Sequence, residues 1–118
     1  MTEAIVAAVT AFSQAAHTRD VAALERVLDP AAVQHVRMGE AWSALPTPTY
    51  LQLMRDAKIG GEPVELEIHD VSRLDSVATV HATRLTPSLR FDDVLTLVED
   101  GSAWRIVAAA IVVTPASN

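Results

Sequence analysis

The stretch FDDVLTLVEDGSAWRIV, residues 91–107, decides the fold of this chain. Two apolar runs flank the pair Asp100-Gly101, a combination typical of a tight β-hairpin. Successive residues of a strand point to opposite faces, so Leu95 and Leu97 share one face and Asp93 shares it with them. We expect this face to turn toward the preceding part of the chain, which places one acid among apolar neighbours.

Before this hairpin, apolar residues recur at three- and four-residue spacings and predict three helices. The first runs from Glu3 to His17. Asp20 caps the second, and Asp29-Pro30 ends it, because the residue before proline avoids the helical region. The third opens at residues 45–48 with Thr47 as its cap, and Gly60-Gly61 stops it.

After Gly61 the apolar period changes from 3.6 to 2, which indicates strands. Turn residues divide this region into four strands, and the lost alternation over residues 70–74 indicates a bulge or bend. A further short strand is predicted over residues 32–38. Helices followed by antiparallel strands predict an α+β fold, with the helices on one face of a curved, mostly antiparallel sheet, as a single domain over residues 1–118.

Composition argues against several classes of function. The chain has 118 residues and no cysteine, which excludes disulfides and thiolate metal sites. Its formal net charge is −6 and its few basic residues are not clustered, so neither nucleic acid nor an anionic membrane is an expected partner. The first apolar stretch lacks a basic start and is interrupted by polar residues. We therefore expect no signal peptide and no membrane span, and a cytoplasmic location.

The order of elements resembles the nuclear transport factor 2-like superfamily, a cone-shaped α+β fold shared with ketosteroid isomerases, polyketide cyclases and scytalone dehydratase. Within it, the chain is most similar to the bacterial branch labelled "putative lumazine-binding". The residues that carry the resemblance are Leu28-Asp29-Pro30-Ala31-Ala32, Phe91 with Asp93, Leu95 and Leu97, and Gly101 with Trp104, Arg105, Ile106 and Val107. The last strand departs from the branch, because residues 107–113 are apolar on both sides.

The resemblance implies a pocket between sheet and helices and, from the label of the branch, a pterin-like ligand. We expect a small-ligand-binding protein that needs no cofactor. One alternative is an enzyme of isomerase, dehydratase or hydrolase type with Asp93 as general base, and whether the chain is an enzyme stays open. Another is a non-catalytic dimeric accessory protein, whose cavity Met38, Trp42 and Met54 would plug.

Asp93 is the best candidate for chemistry. Among apolar neighbours its carboxylate would have a raised pKa and would accept a proton. The simpler interpretation, which we prefer, is an acid that pairs with Arg84 or Arg90 or meets solvent. Arg84 would otherwise hold an anionic ligand. Ketosteroid-isomerase-like chemistry also needs an oxyanion hole, and Asp93 with Tyr50 supplies only half of such a site.

The other candidate ligand contacts are less specific. Tyr50 either donates a hydrogen bond into the pocket or is a half-buried aromatic residue, and Trp42 either stacks on a flat ligand or covers the rim of the core. Strand 32–38 leaves two orientations open. Either His35 and Arg37 face inward and make the pocket basic, or Val36 and Met38 do so and make it apolar, which the pattern favours.

No metal site is predicted, because no pair of the four histidines has ligand spacing on a helix. His17 ends the first helix, where a cation suits the helix dipole, and we interpret it as structural. His69 and His81 alternate with apolar residues on neighbouring strands and are expected on the face of the sheet away from the pocket.

The partner we expect is a second copy of the chain. In the last two strands the residues predicted to point away from the helices carry no charge, and a monomer rarely exposes such a surface. Stacking two sheets face to face about a two-fold axis would bury it. The predicted homodimer surface consists of Val94, Thr96, Val98, Val107, Ala109, Ile111 and Val113.

Overall fold

The computed structural model describes residues 2–116, which form three helices and six strands. In chain order these are α1 (Glu3–Thr18), α2 (Val21–Val27), β1 (Leu28–Met38), β2 (Ala41–Pro46), α3 (Thr47–Arg55), β3 (Glu65–Leu74), β4 (Val77–Leu85), β5 (Leu89–Asp100) and β6 (Ala103–Pro115). None of the helices in this range is long and apolar enough to cross a membrane.

The six strands form one sheet in the order β2-β1-β6-β5-β4-β3. β1 and β6 run parallel, and every other neighbouring pair is antiparallel. The predicted α+β fold is thus confirmed, with the helices on one face of a mostly antiparallel sheet. β1 directly follows α2, and its pairing with β6 places the first strand of the chain beside the last one.

The inner face of the sheet, which carries Leu95, Leu97 and Ile106, packs against the helices. From α1 it meets a stripe of buried residues spaced three to four apart, Ile5, Val9, Phe12 and Ala16. Such a stripe is what an amphipathic helix needs to bury one side. The predicted orientation of the β5–β6 hairpin is therefore correct as far as Ile106, and the core lies between this face and the helices.

A β-bulge reverses the orientation of the rest of β6. Thr96 pairs with Ala108 but Leu97 pairs with Ile106, so Val107 is an extra residue on β6. One extra residue shifts the two-residue alternation of every position beyond it. The prediction that the next odd-numbered residues of β6 point outward is therefore wrong. The residues found buried on the inner face are Ala109, Ile111 and Val113.

The face away from the helices, the outer face, stays apolar despite this correction. The even-numbered residues of β6 replace the predicted odd ones, and none of these side chains belongs to the core. The resulting group of outward residues, which we name the outer patch, consists of Val94, Thr96, Val98, Val107, Ala108, Ala110 and Val112. Like the predicted homodimer surface, the outer patch contains no charged residue.

The segments around α3 differ from their prediction. Residues 41–46 form β2, and α3 begins at Thr47 with Pro46 in the cap position. Thr47 does not cap the helix, because its hydroxyl donates to the backbone oxygens of Asp29 at 2.8 Å and Ala32 at 3.2 Å. α3 ends at Arg55, before the predicted stop at Gly60-Gly61. Asp20 does cap α2, as predicted, by accepting from the backbone nitrogen of Ala23.

Candidate functional site

A cavity of about 60 Å³ lies between the inner face of the sheet, the end of α1 and α3. Its apolar wall comes from β1, β5, β6, α3 and the loop after α3, and consists of Val36, Met54, Ile59, Phe91, Ile111 and Val113. Four polar side chains complete the lining, namely His17, Gln34, Tyr50 and Arg84. An apolar pocket with a few convergent polar groups is the usual form of a small-molecule site.

Arg84 and Asp93 form a buried ion pair beside this cavity. Arg84 Nε donates to Asp93 Oδ2 at 2.6 Å and Nη2 donates to Oδ1 at 2.9 Å, so both carboxylate oxygens are engaged. The side chains are 4% and 1% exposed. Burial alone would lower the pKa of Arg84, but the charge and hydrogen bonds of Asp93 outweigh it and raise that pKa. Of the predicted roles for Asp93, this geometry matches pairing with Arg84, although the pair is buried rather than at the surface.

Two aromatic rings hold the Arg84 guanidinium. Its central carbon lies 4.3 Å from the ring centroid of Phe91 and 5.2 Å from that of Phe12. Such cation–π contacts are strongest where water is excluded, as it is here. The side chain is therefore fixed by its carboxylate and by ring contacts, and it presents a rigid wall to the cavity.

His17 is a residue of the site that the sequence interpretation missed. Its Nε2 lies 3.2 Å from Arg84 Nη1. Since a guanidinium can only donate, Nε2 accepts and the imidazole is neutral. Burial, followed by the charge of Arg84, lowers the pKa of His17 to about 4, against smaller opposing effects of Asp93 and Glu62. His17 thus adds no charge to the cavity near neutral pH, in contrast to the predicted cation at the end of the helix.

Tyr50 lies in the cavity wall, as one of its two predicted roles requires. It is buried, and this burial raises the pKa of its phenol to about 12, while the charge of Arg84 and a hydrogen bond from the side chain of Gln34 act in the opposite direction. Its hydroxyl group therefore stays protonated and can donate a hydrogen bond at any physiological pH.

Gln34 is the second residue that the sequence interpretation missed. It comes from the inner side of β1, between Ala32 and Val36, and it is 3% exposed. Its Nε2 carries two protons; the Tyr50 oxygen can accept one of them, and the other has no partner within residues 2–116. Buried side-chain donors nearly always have a partner, so this one marks the part of the cavity where a ligand group would be recognised.

The loop after α3 closes one side of the cavity. Arg19 holds it through hydrogen bonds from Nε to the oxygen of Ile59 at 2.9 Å and from Nη2 to that of Gly60 at 3.0 Å. Gly60 has a φ of +74°, and a Cβ there would lie 2.2 Å from the backbone oxygen of Ala16. Only glycine lets the loop approach α1 this closely, and this contact sets the position of Ile59 in the wall.

Three predicted ligand contacts lie outside the cavity. Trp42, on β2, is 54% exposed and pairs with Arg37 on the outer face, with the guanidinium 5.8 Å from its ring centroid. His35 is exposed on the same face, because β1 turns Gln34 and Val36 inward. Met38 has the inward orientation but is 61% exposed at the end of β1. β1 therefore contributes Gln34 and Val36 to the cavity instead of His35 and Arg37, and of the proposed plug residues only Met54 lines it.

A wider cleft of about 610 Å³ lies between α2, α3 and the start of β1. Its charged pair, Glu25 and Arg55, is about half exposed, with 4.0 Å between the two charged groups. Thr47, its buried polar residue, already donates to the two backbone oxygens named above. The cleft thus has volume but no buried polar group available to a ligand. Within residues 2–116 no cluster of His, Asp or Glu could hold a metal ion.

Comparison with known proteins places this architecture in a family. Residues 1–110 match the family described as "putative lumazine-binding". No curated protein matches the chain.

Solved structures show the same fold. An NTF2-like protein of unknown function from Silicibacter pomeroyi is 24% identical, with a TM-score of 0.84 over 94% of this chain and 93% of that one. A ketosteroid isomerase-like protein from Erwinia carotovora atroseptica is 15% identical, with a TM-score of 0.75 over 98% of this chain and 95% of that one. The chain thus belongs to the "putative lumazine-binding" family and shares its fold with these NTF2-like proteins.

Proposed function

We propose that this protein binds a small apolar or aromatic molecule in the cavity between the sheet and the helices, as a homodimer. The observation that carries the first part is the combination of an apolar wall with Gln34 Nε2, a buried donor that keeps an unpaired proton beside Tyr50. If this region served stability alone, we would expect its lining to consist of apolar side chains and of polar side chains with hydrogen-bond partners. The name of the family points to the same class of protein.

The enclosed volume limits how the ligand would sit. About 60 Å³ admits the head group of a molecule but not a fused ring system. Three of the wall residues, Val36, Ile59 and Phe91, are only half-buried. They therefore form the mouth through which the rest of the ligand would extend. Lumazine, the molecule in the family description, would therefore occupy the mouth, with only one edge of its ring system inside the cavity.

A thermal-shift screen tests the binding function. Lumazine, riboflavin, a steroid and simple aromatic ketones and acids are each titrated against the protein. We expect at least one of them to raise Tm with concentration, because a ligand at 100 times its Kd stabilises the native state by about 2.7 kcal/mol. Val36→Phe, which fills the mouth, should abolish the shift. Leu74→Phe, which adds the same ring at a position 81% exposed, should preserve it. A flat response of the parent to the whole panel would contradict the proposal.

The second part of the proposal, the homodimer, rests on the outer patch. Its seven residues lack charge, and no element within residues 2–116 covers them. Two copies stacked through this patch would bury it on both sides, as in a β-sandwich.

The charges around the outer patch also suit a second copy. The strand register places one row of outward residues across the sheet, in the order Arg37, Val112, Asp92, Thr83 and Glu67. The row is basic at one end and acidic at the other. A two-fold axis along the strands would set Arg37 of one copy against the acidic end of the other. Arg37 Nε is buried without a hydrogen-bond partner among the described residues, and this arrangement would supply one.

A further inference from the structure

The polar groups of the cavity favour one chemical class of ligand. We infer that the cavity recognises an uncharged carbonyl oxygen, such as that of a ketone, amide or lactam, and discriminates against carboxylates. This inference rests on the proposed binding function and specifies its ligand. It follows from which hydrogen-bonding groups of the wall are free and which are already used.

The free groups are donors. Gln34 Nε2 has two protons, of which the Tyr50 oxygen can accept only one, and no further partner lies among the described residues; Tyr50 keeps its own hydroxyl proton because burial raises the pKa of the phenol. Both side chains line the same cavity. A carbonyl oxygen has two lone pairs and accepts up to two such bonds, whereas an aliphatic group there would leave the amide donor unsatisfied.

The positive charge of the wall is already neutralised. Arg84 uses Nε and Nη2 on Asp93 and Nη1 on His17, and aromatic rings lie close to its guanidinium. A carboxylate entering the cavity would lose its hydration without meeting an unpaired cation, and it would lie near the charge of Asp93. Burying such an anion is unfavourable, whereas a neutral carbonyl avoids both penalties.

Acetophenone and benzoate are a suitable pair of probes, because they have nearly the same shape and differ in charge. In each, the small head group fits the enclosed volume and the phenyl ring would contact the mouth residues. Binding is measured at pH 7.5 by ligand-observed NMR titration. We expect acetophenone to bind at least tenfold more tightly than benzoate. Equal affinities, or tighter binding of benzoate, would overturn the inference while leaving the binding function intact.

Gln34→Met tests the role of the amide, because methionine has nearly the same length and no donor. We expect about a tenfold loss of acetophenone affinity, since the buried carbonyl loses a donor, with Tm unchanged or a few degrees higher. A structural glutamine would instead show a fall in Tm on substitution. Unchanged affinity in the variant would overturn the inference.

Ser13→Ala is the matched control. Ser13 Oγ is also buried and without a partner among residues 2–116, but Ser13 does not line the cavity. Its substitution should leave acetophenone affinity unchanged, and a loss equal to that of Gln34→Met would contradict the site. If neither these probes nor any molecule of the wider screen binds the parent, the binding function itself is wrong and this inference falls with it.

Discussion

Asp93→Val is expected to lower the free energy of unfolding by about 3–5 kcal/mol, because it leaves the Arg84 guanidinium buried without its counter-charge. The pair is almost fully enclosed, and Arg84 cannot lose its proton to avoid the penalty. Valine suits a β-strand, so backbone propensity does not oppose the substitution. Urea unfolding followed by far-UV circular dichroism measures the change.

Two variants show whether the lost charge is the cause. Asp92→Val removes the neighbouring carboxylate, which pairs with half-exposed Arg90, and should change the free energy of unfolding by less than about 1 kcal/mol. The double variant Arg84→Met/Asp93→Val removes both charges and should regain most of the lost stability. A cost for Asp93→Val as small as that for Asp92→Val would contradict the buried pair and reopen Asp93 as a free general base.

The second large effect is expected at Ile111 on β6, and its neighbour Ala110 serves as the comparison. Ile111→Asp should prevent folding, because Ile111 is buried and pairs across the strands with Asp93, so the new carboxylate would lack solvent and a cation of its own. Burying this charge lowers the free energy of unfolding by more than about 4 kcal/mol, a loss that leaves a domain of this size little or no stability. Ala110→Asp places the same charge on the exposed outer patch and should keep the native circular dichroism spectrum.

The same pair of variants tests the homodimer. Light scattering of the parent at micromolar concentration should give twice the chain mass of 12.6 kDa. Ala110→Asp should be folded and monomeric, because the two-fold axis would bring like charges into the interface. A folded Ile111→Asp with a misfolded Ala110→Asp would show that the bulge at Val107 is absent. A parent that scatters as a monomer would contradict the dimer.

The sequence predicted the fold well because its signals are periodic. The alternation of Leu95 with Leu97 and the spacing of Ile5, Val9 and Phe12 fixed which sides of sheet and helix meet. The bulge was missed because Val107 is followed by three alanines, and a run of small apolar residues carries no alternation from which to read a register. The orientation of the side chains of β6 was therefore predicted correctly only up to the bulge.

The site was less predictable because its polar residues lie within apolar patterns. His17 continues the four-residue row of Val9 and Ser13 along α1, a signal that would have placed it inside. Gln34 lies between Ala32 and Val36 with the two-residue period of β1, which is a comparable signal. Trp42 was expected at the pocket because the sequence does not show that it pairs with Arg37, and this pairing turns its side chain to the outer face.

NMR can locate the bound ligand and thereby test the proposed cavity directly. Two-dimensional ¹H–¹⁵N and methyl spectra of the protein are recorded during titration with acetophenone, or with another binder from the screen. We expect the largest shifts at the Gln34 side-chain amide and at the methyl groups of Ile59 and Ile111. Shifts centred instead on Leu51 and Gln52 would place the ligand in the cleft between α2 and α3 and would contradict binding in the cavity.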